Sequence, residues 1–150
     1  HEFPAELGAR LGMCFAQAKA HAETRAQFGR KLMEFQGLQW KFAEMRVALD
    51  AAQLLLYRAA TRAERGLPSA QDVAMAKFAC NQAGWMAANE SMQIMGGTGY
   101  SQDLLIEYCV RKVRGWMIAG GSLEMMKNRI AEGVFGRPFS QRSGSQRPGR

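Results

Sequence analysis

Three short stretches of this 150-residue chain combine side chains and backbone suited to holding an anion. The first is Arg25-Ala26-Gln27-Phe28-Gly29-Arg30. A guanidinium can grip two phosphate oxygens at once, so Arg25 could neutralise a phosphate at close range. It could equally be a solvated cation near a helix C-terminus, with Gly29 making the turn. The second is Gln93-Ile94-Met95-Gly96-Gly97-Thr98-Gly99-Tyr100. Three glycines in four positions permit positive φ and close backbone approach, as a ligand-cradling loop needs, and they suit an ordinary turn as well. No Gly-Lys-Ser/Thr follows, which excludes a P-loop, and no strand precedes it, which excludes a dinucleotide fingerprint. The third is Ile118-Ala119-Gly120-Gly121-Ser122-Leu123-Glu124. Free amides at a helix start can host an anion there, or the stretch is simply a capped helix with Glu124 complementing the dipole.

Helices must position all three. Phe35, Leu38, Phe42, Met45, Leu49, Ala52, Leu56 and Ala59 recur at gaps of three and four, which is one continuous stripe on a long helix. Lys41, Glu44, Arg58 and Arg62 fall off that stripe. Gly66-Leu67-Pro68 stops the helix, Ser69 offers an N-cap oxygen to the next, and Asp72 adds negative charge to its first turn. This next helix is expected to bury Val73, Ala76, Cys80, Ala83 and Ala87, whose small side chains allow close helix approach. A first helix reads from Pro4 to about Thr24, with Leu7, Leu11, Phe15, Ala18 and Ala22 inward. GGTGY reads as a turn cluster, Leu104 to about Val113 as a shorter helix, and Ser122 to about Val134 as the last helix. Alternating strand patterns and internal repeats are absent. The expected fold is all-α, an antiparallel up-and-down four-helix bundle over residues 1–135. The basic Arg-, Ser-, Gly- and Pro-rich tail, 136–150, is expected to be disordered.

Composition narrows the chemistry further. A hydrophobic share of 47% with 22% charged residues is that of a globular domain, not a disordered chain. The net charge of +7 raises the question of nucleic acid, but from Arg137 onward there are four arginines and no acid. The excess therefore sits largely in the tail, and neither a nucleic-acid nor a membrane partner is expected. Cys14, Cys80 and Cys109 are too few and too scattered for a disulfide framework, which predicts reduced thiols and a cytoplasmic or matrix-like setting. His1 and His21 alone cannot supply a zinc site or a Ser-His-Asp triad, so no metal is expected.

Taken together, in order and spacing, the stretches resemble the C-terminal four-helix domain of the acyl-CoA dehydrogenase family. The resemblance runs from Glu2 to about Ala131 and rests on RAQFGRKLMEFQ, KFAEMRVALDAAQLLLYRAA, DVAMAKFACNQAGWMAANESMQIMGGTGY and VRKVRGWMIAGGSLEMM. MQIMGGTG and IAGGSLEM look most like the branch acting on CoA thioesters of less common acids, carnitine-type substrates included. The family resemblance implies an FAD enzyme that dehydrogenates an acyl-CoA between its α and β carbons and passes electrons to an electron-transfer flavoprotein. It implies that Arg25 and Gln27 contact the FAD diphosphate, that Phe28 packs beside the cofactor, and that Phe35 and Gln36 form a second contacting pair. Gln93, Gly96 and Gly97 match the loop approaching the adenosine half, Ser122 and Glu124 the stretch after the catalytic position, and Gly121 a substrate contact. Because the Arg and Gln-Gly-Gly contacts reach the FAD of a neighbouring subunit in the family, a homodimer or homotetramer is implied, with this bundle as the oligomer core. The enzyme expectation is that this chain alone is incomplete and inactive.

Two positions depart from the family pattern. Its commonest catalytic base is a Glu at the position of Gly120, and glycine cannot abstract a proton. Some branches place the carboxylate on the first bundle helix instead, at a position that falls just before His1. Glu2 is three residues further on, roughly 60° out of phase on a helix, and is a poor candidate; Glu6 is expected at the surface. The catalytic base is thus unassigned. Lys112 stands where the family often has Asp after the arginine matching Arg111. The alternative to an enzyme domain is a non-catalytic bundle of the same family serving only in assembly.

Overall fold

The computed structural model describes residues 3–62 and 66–139, with side chains described from Gly12 onward. Glu2, the side chains of Glu6, Leu7 and Leu11, and the tail beyond Phe139 lie outside the described residues. The elements are α1 (Phe3–Thr24), a hairpin of β1 (Ala26–Gln27) and β2 (Arg30–Lys31), a 3-10 turn (Leu32–Glu34), α2 (Gln36–Thr61), α3 (Ala70–Met95), the single turn α4 (Gly97–Tyr100), α5 (Leu105–Trp116) and α6 (Leu123–Phe135). The fold is all-α apart from that two-residue ladder, among the described residues.

Helix α3 is the hub, packed by α1, α2, α5 and α6. Its direction against α2 follows from the cross-helix pairs. Lys41 meets Glu90, the Ala52 carbonyl faces the Cys80 thiol, and Arg58 meets Asp72 at 3.1 Å, so residue numbers fall on one helix as they rise on the other. The pair is antiparallel, as the short connection through Gly66 and Ser69 requires. Gly66 takes φ 82, and the Ser69 hydroxyl oxygen accepts from the Asp72 N–H at 3.0 Å, the stop and start expected of those residues. The α2 stripe faces inward as its spacing predicts, with Met45, Ala52 and Ala59 fully buried.

A hub helix buries more than one face. Ala74, Ala76, Asn81, Ala83, Gly84, Ala87, Ala88 and Ser91 are all buried, so α3 is small-sided nearly all round and its neighbours approach closely. Val73, expected inside, is 45% exposed, while the adjacent Ala74 is buried, so the inward face at this end of α3 lies one position round. Asn81 donates from Nδ2 to the Trp116 carbonyl at 3.2 Å, tying the middle of α3 to the end of α5.

The main core gathers Cys14, Ala18 and Ala22 of α1, Met45 of α2, Ala87, Ala88, Ile94 and Met95 of α3, and Ile106 and Cys109 of α5. Phe15 and Phe42 close α1 on α2 with rings edge to face, centroids 5.6 Å apart. Beyond α6, Gly136 takes φ 64 as a left-handed cap, and Phe139 lies edge-on to Phe135 at 5.6 Å.

The buried thiols make stability depend on alkaline pH. A hydrogen bond with Cys109, then burial, pushes the Cys14 thiol far above its ordinary value of 9.0, and burial raises Cys80. The unfolded chain releases these protons near pH 9.0 while the folded chain keeps them. The folded state therefore binds more protons there, and stability falls as pH rises. The urea midpoint is expected to decline above that pH, and to decline less steeply in the Cys14→Ala/Cys80→Ala variant; equal slopes in the two proteins would refute this.

Candidate functional site

At the end of the bundle where α1 stops, α2 starts and α3 stops, a cleft of about 480 Å³ opens. Arg25, Gln27, Gln93, Gly96 and Gly97 all line it, with Leu32 and Leu38 as an apolar floor. Residues some seventy positions apart in sequence thus line one cleft, and the volume is that of a small-molecule site.

Local chemistry fixes Arg25 there. Its N–H donates to the His21 carbonyl at 2.8 Å, extending the last turn of α1, and its carbonyl accepts from the Leu32 N–H at 2.9 Å. Between those two anchors the chain doubles back as a hairpin in register Ala26↔Lys31 and Gln27↔Arg30. No alternation could announce strands of two residues each, which is why the sequence reading contains none. The turn is Phe28-Gly29, with φ of 52° and 78°. Two positive φ values suit the right-handed twist of a tight hairpin, but a bulky aromatic in that region is strained. Phe28 is also 86% exposed. An aromatic this exposed buries little surface within the chain, so packing there does not offset its backbone strain. Phe28→Asn, the preferred residue before Gly in such a turn, is expected to stabilise the protein by about 1 kcal/mol while weakening ligand binding. Paired urea and binding titrations check this; a loss of stability refutes it.

The end of α3 contributes the rest of the lining. Gly96 takes φ 59 and ψ −138, a conformation open to glycine almost alone, and its N–H donates to the Met92 carbonyl at 2.9 Å. The following residues form the helical turn α4 and not an open loop, so only the first of the three glycines uses positive φ. Gly99 serves packing instead: a Cβ there would lie 2.9 Å from the Met92 carbonyl oxygen and 2.9 Å from Met95 Cβ.

A second cleft, of about 530 Å³, shares no lining residue with the first. Ser122, Glu124, Ile118, Arg114 and Trp85 line it, beside the glycine pair of the loop between α5 and α6. Lys77 of α3 holds that loop from behind, donating from Nζ to the carbonyls of Ala119 at 3.0 Å, Gly120 at 2.6 Å and Gly121 at 2.8 Å. Gly120 and Gly121 take φ of 63° and 94°. Burial lowers the Lys77 ammonium below its ordinary range. The Glu124 carboxylate is held below the usual range by its own backbone N–H and then by the Ser122 hydroxyl, which keeps it anionic at the helix start.

Three residues implied by the resemblance lie apart from both clefts. Phe28 projects from the hairpin tip, Phe35 packs under the Arg30 guanidinium at 4.3 Å, and Gln36 is exposed at the start of α2. Gly121 adjoins Ser122 of the second cleft in sequence but is not in its lining, and its carbonyl accepts from Lys77. The sequence reading missed His21, Lys77, Arg114 and Trp85. His21 was findable, because it is one helical turn before Arg25; the others are brought in by tertiary packing. Lys112 lies 5.7 Å from the Tyr108 ring. Among the described residues, no three His, Cys, Asp or Glu side chains gather as metal ligands, and no helix is long and apolar enough to cross a membrane.

The chain is similar to known proteins over this whole region. The 3-sulfinopropanoyl-CoA desulfinase of Paraburkholderia xenovorans (strain LB400) is 39% identical over 136 residues, 91% of this chain and 34% of that protein. The short-chain-specific acyl-CoA dehydrogenase of Clostridium acetobutylicum is 36% identical over 121 residues, 81% of this chain and 32% of that protein. The structure of butyryl-CoA dehydrogenase from Megasphaera elsdenii superposes with a TM-score of 0.81 at 28% identity, over 87% of this chain and 34% of that one. The chain therefore spans about a third of the length of the relatives it matches. Residues 5–135 match the acyl-CoA dehydrogenase C-terminal domain, and with the helical architecture and these identities the chain belongs to the acyl-CoA dehydrogenase family.

Proposed function

We propose that this chain supplies the C-terminal bundle of an FAD-dependent enzyme acting on an acyl-CoA, and that its first cleft grips the cofactor's diphosphate. One observation carries the reading: Arg25, Gln27, Gln93, Gly96 and Gly97 line a single cleft. The residues fit the group. Arg25 offers the charge and the fork, Gln27 and Gln93 offer neutral donors, and Gly96 and Gly97 let backbone approach without a side chain between. Phe28 would cover the planar portion of the cofactor from the hairpin tip. Ser122 and Glu124 would hold a second copy of the cofactor, since their cleft is a separate one. A subunit with both half-sites works only beside another copy, so the reading includes a homodimer or homotetramer with this bundle at its centre. When bound, FAD supplies the acceptor for the substrate's β-hydrogen. This chain's part is to bind, orient and pack; its relatives are about three times longer, so these residues alone are expected to be inactive. The full reading also includes an electron-transfer flavoprotein as acceptor and a cytoplasmic or matrix-like setting. FAD titrated into the protein should bind with quenched fluorescence, and dye reduction with octanoyl-CoA should be absent from this chain. Failure to bind FAD overturns the cleft assignment, and robust turnover overturns the incompleteness.

A second reading concerns the reaction, and Gly120 favours it. With no side chain at that position, this loop has no carboxylate to take an α-proton. Removal of a sulfino group from a 3-sulfinoacyl-CoA does not need one: the carbon–sulfur bond breaks, water supplies the oxygen and protons, and the carbon gains hydrogen as sulfite leaves. Assay of the enzyme for sulfite release against dye reduction separates the two reactions.

A further inference from the structure

We propose that His21 is a second, titratable binding residue of the first cleft, contacting the same anionic diphosphate as Arg25 and tightening the grip as pH falls. The inference rests on the reading of that cleft as a diphosphate site. His21 and Arg25 are one turn apart, joined by the 2.8 Å backbone hydrogen bond, and both residues line the cleft. The imidazole is half-buried, and among the described residues it has neither a hydrogen bond nor an ion pair.

The charged groups around it are few. Within the lining the only charged neighbour is Arg25; α2 presents Leu38, the 3-10 turn Leu32, the hairpin Gln27, and α3 Gln93, Ile94 and Met95. Lys19 and Glu23, on the same helix, pair with each other, Glu34 accepts from the Lys31 N–H, and Arg30 stacks on Phe35. Two turns back along α1, the Cys14 thiol hydrogen-bonds with Cys109 of α5, and neither cysteine lines the cleft. No carboxylate stands in that lining to pair with the imidazole. A bound diphosphate supplies the negative charge instead, set beside two adjacent basic side chains. Ligand binding must then be coupled to proton uptake by His21, and affinity must rise as pH falls through the imidazole range.

The test is FAD binding to the 150-residue chain from about pH 5.5 to about pH 8.5, where the diphosphate diester of FAD keeps a constant charge. The unaltered chain, His21→Gln and Arg25→Ala are compared by fluorescence, and the imidazole titration of the unaltered chain is followed by NMR with and without FAD. His1 is the internal reference. The expected result is about tenfold tighter binding at the acid end, a profile flattened by His21→Gln, and a His21 titration moved upward by FAD. A flat profile, or an unmoved His21 titration, while Arg25→Ala still weakens binding, overturns the His21 assignment and leaves the cleft reading standing. If FAD does not bind, or if Arg25→Ala changes nothing, both fall. The NMR arm needs no substitution, so it decides even if His21→Gln does not fold.

Discussion

Arg25→Ala is expected to cost about tenfold to a hundredfold in affinity for FAD, with the helical content of the protein unchanged. A hydrogen bond to a charged group contributes about 1.5–3 kcal/mol, and alanine removes the only permanent cation of the first cleft. The fold does not depend on that side chain. Arg25 is exposed, and its backbone bonds to His21 and Leu32 survive truncation. Arg25→Lys should restore only part of the loss, because an ammonium lacks the planar fork that meets two phosphate oxygens together. Calorimetric titration of the three proteins checks the order; equal affinities would remove the diphosphate from this cleft.

Gly99→Val should have the largest effect on stability together with binding. The added Cβ meets the Met92 carbonyl oxygen at 2.9 Å and the Met92 Cα at 3.1 Å, and backbone cannot swing aside as a side-chain tip can. Overpacking of this kind costs about 1–3 kcal/mol, or about 3–10 °C in Tm for a domain of this size. The strain falls on the last turn of α3, which carries Gln93 and Gly96 into the cleft, so FAD affinity should drop as well. Gly97→Ala is the control two residues away. Nothing lies within 4 Å of its Cβ position, and the residue is helical, so stability should hold or rise by about 0.5–1 kcal/mol. If Gly97→Ala unfolds the protein as readily as Gly99→Val, the packing argument is wrong.

The helices were legible because a 3.6-residue period imposes itself over long stretches. Phe35 to Ala59 kept its spacing for the whole of α2, and Ser69 capped α3 as its hydroxyl and Asp72 suggested. Legibility ended where structure depends on few residues or on distant ones. The hairpin at Ala26–Lys31 is too short for a pattern, and Phe28 is not a residue type that announces positive φ. The burial of α3 on several sides was read as one face, because alanines carry little periodic contrast. The convergence of Arg25 with Gly96 came from the family resemblance, not from spacing; the fold supplies its geometry by ending α1 and α3 at one place. The Lys77 anchor had no local sign at all, since its three acceptors are main-chain oxygens more than forty residues away.

That anchor has an evolutionary consequence. A loop tied down through its peptide oxygens does not depend on its own side chains for anchoring, so its crest can vary in side chain as far as the left-handed backbone allows. Introducing a carboxylate at residue 120 would meet a left-handed backbone penalty and set its Cβ 3.4 Å from the Lys77 Nζ that ties the loop down. One codon can therefore place or remove an acid beside that ammonium, so the loop's charge and its anchoring change together.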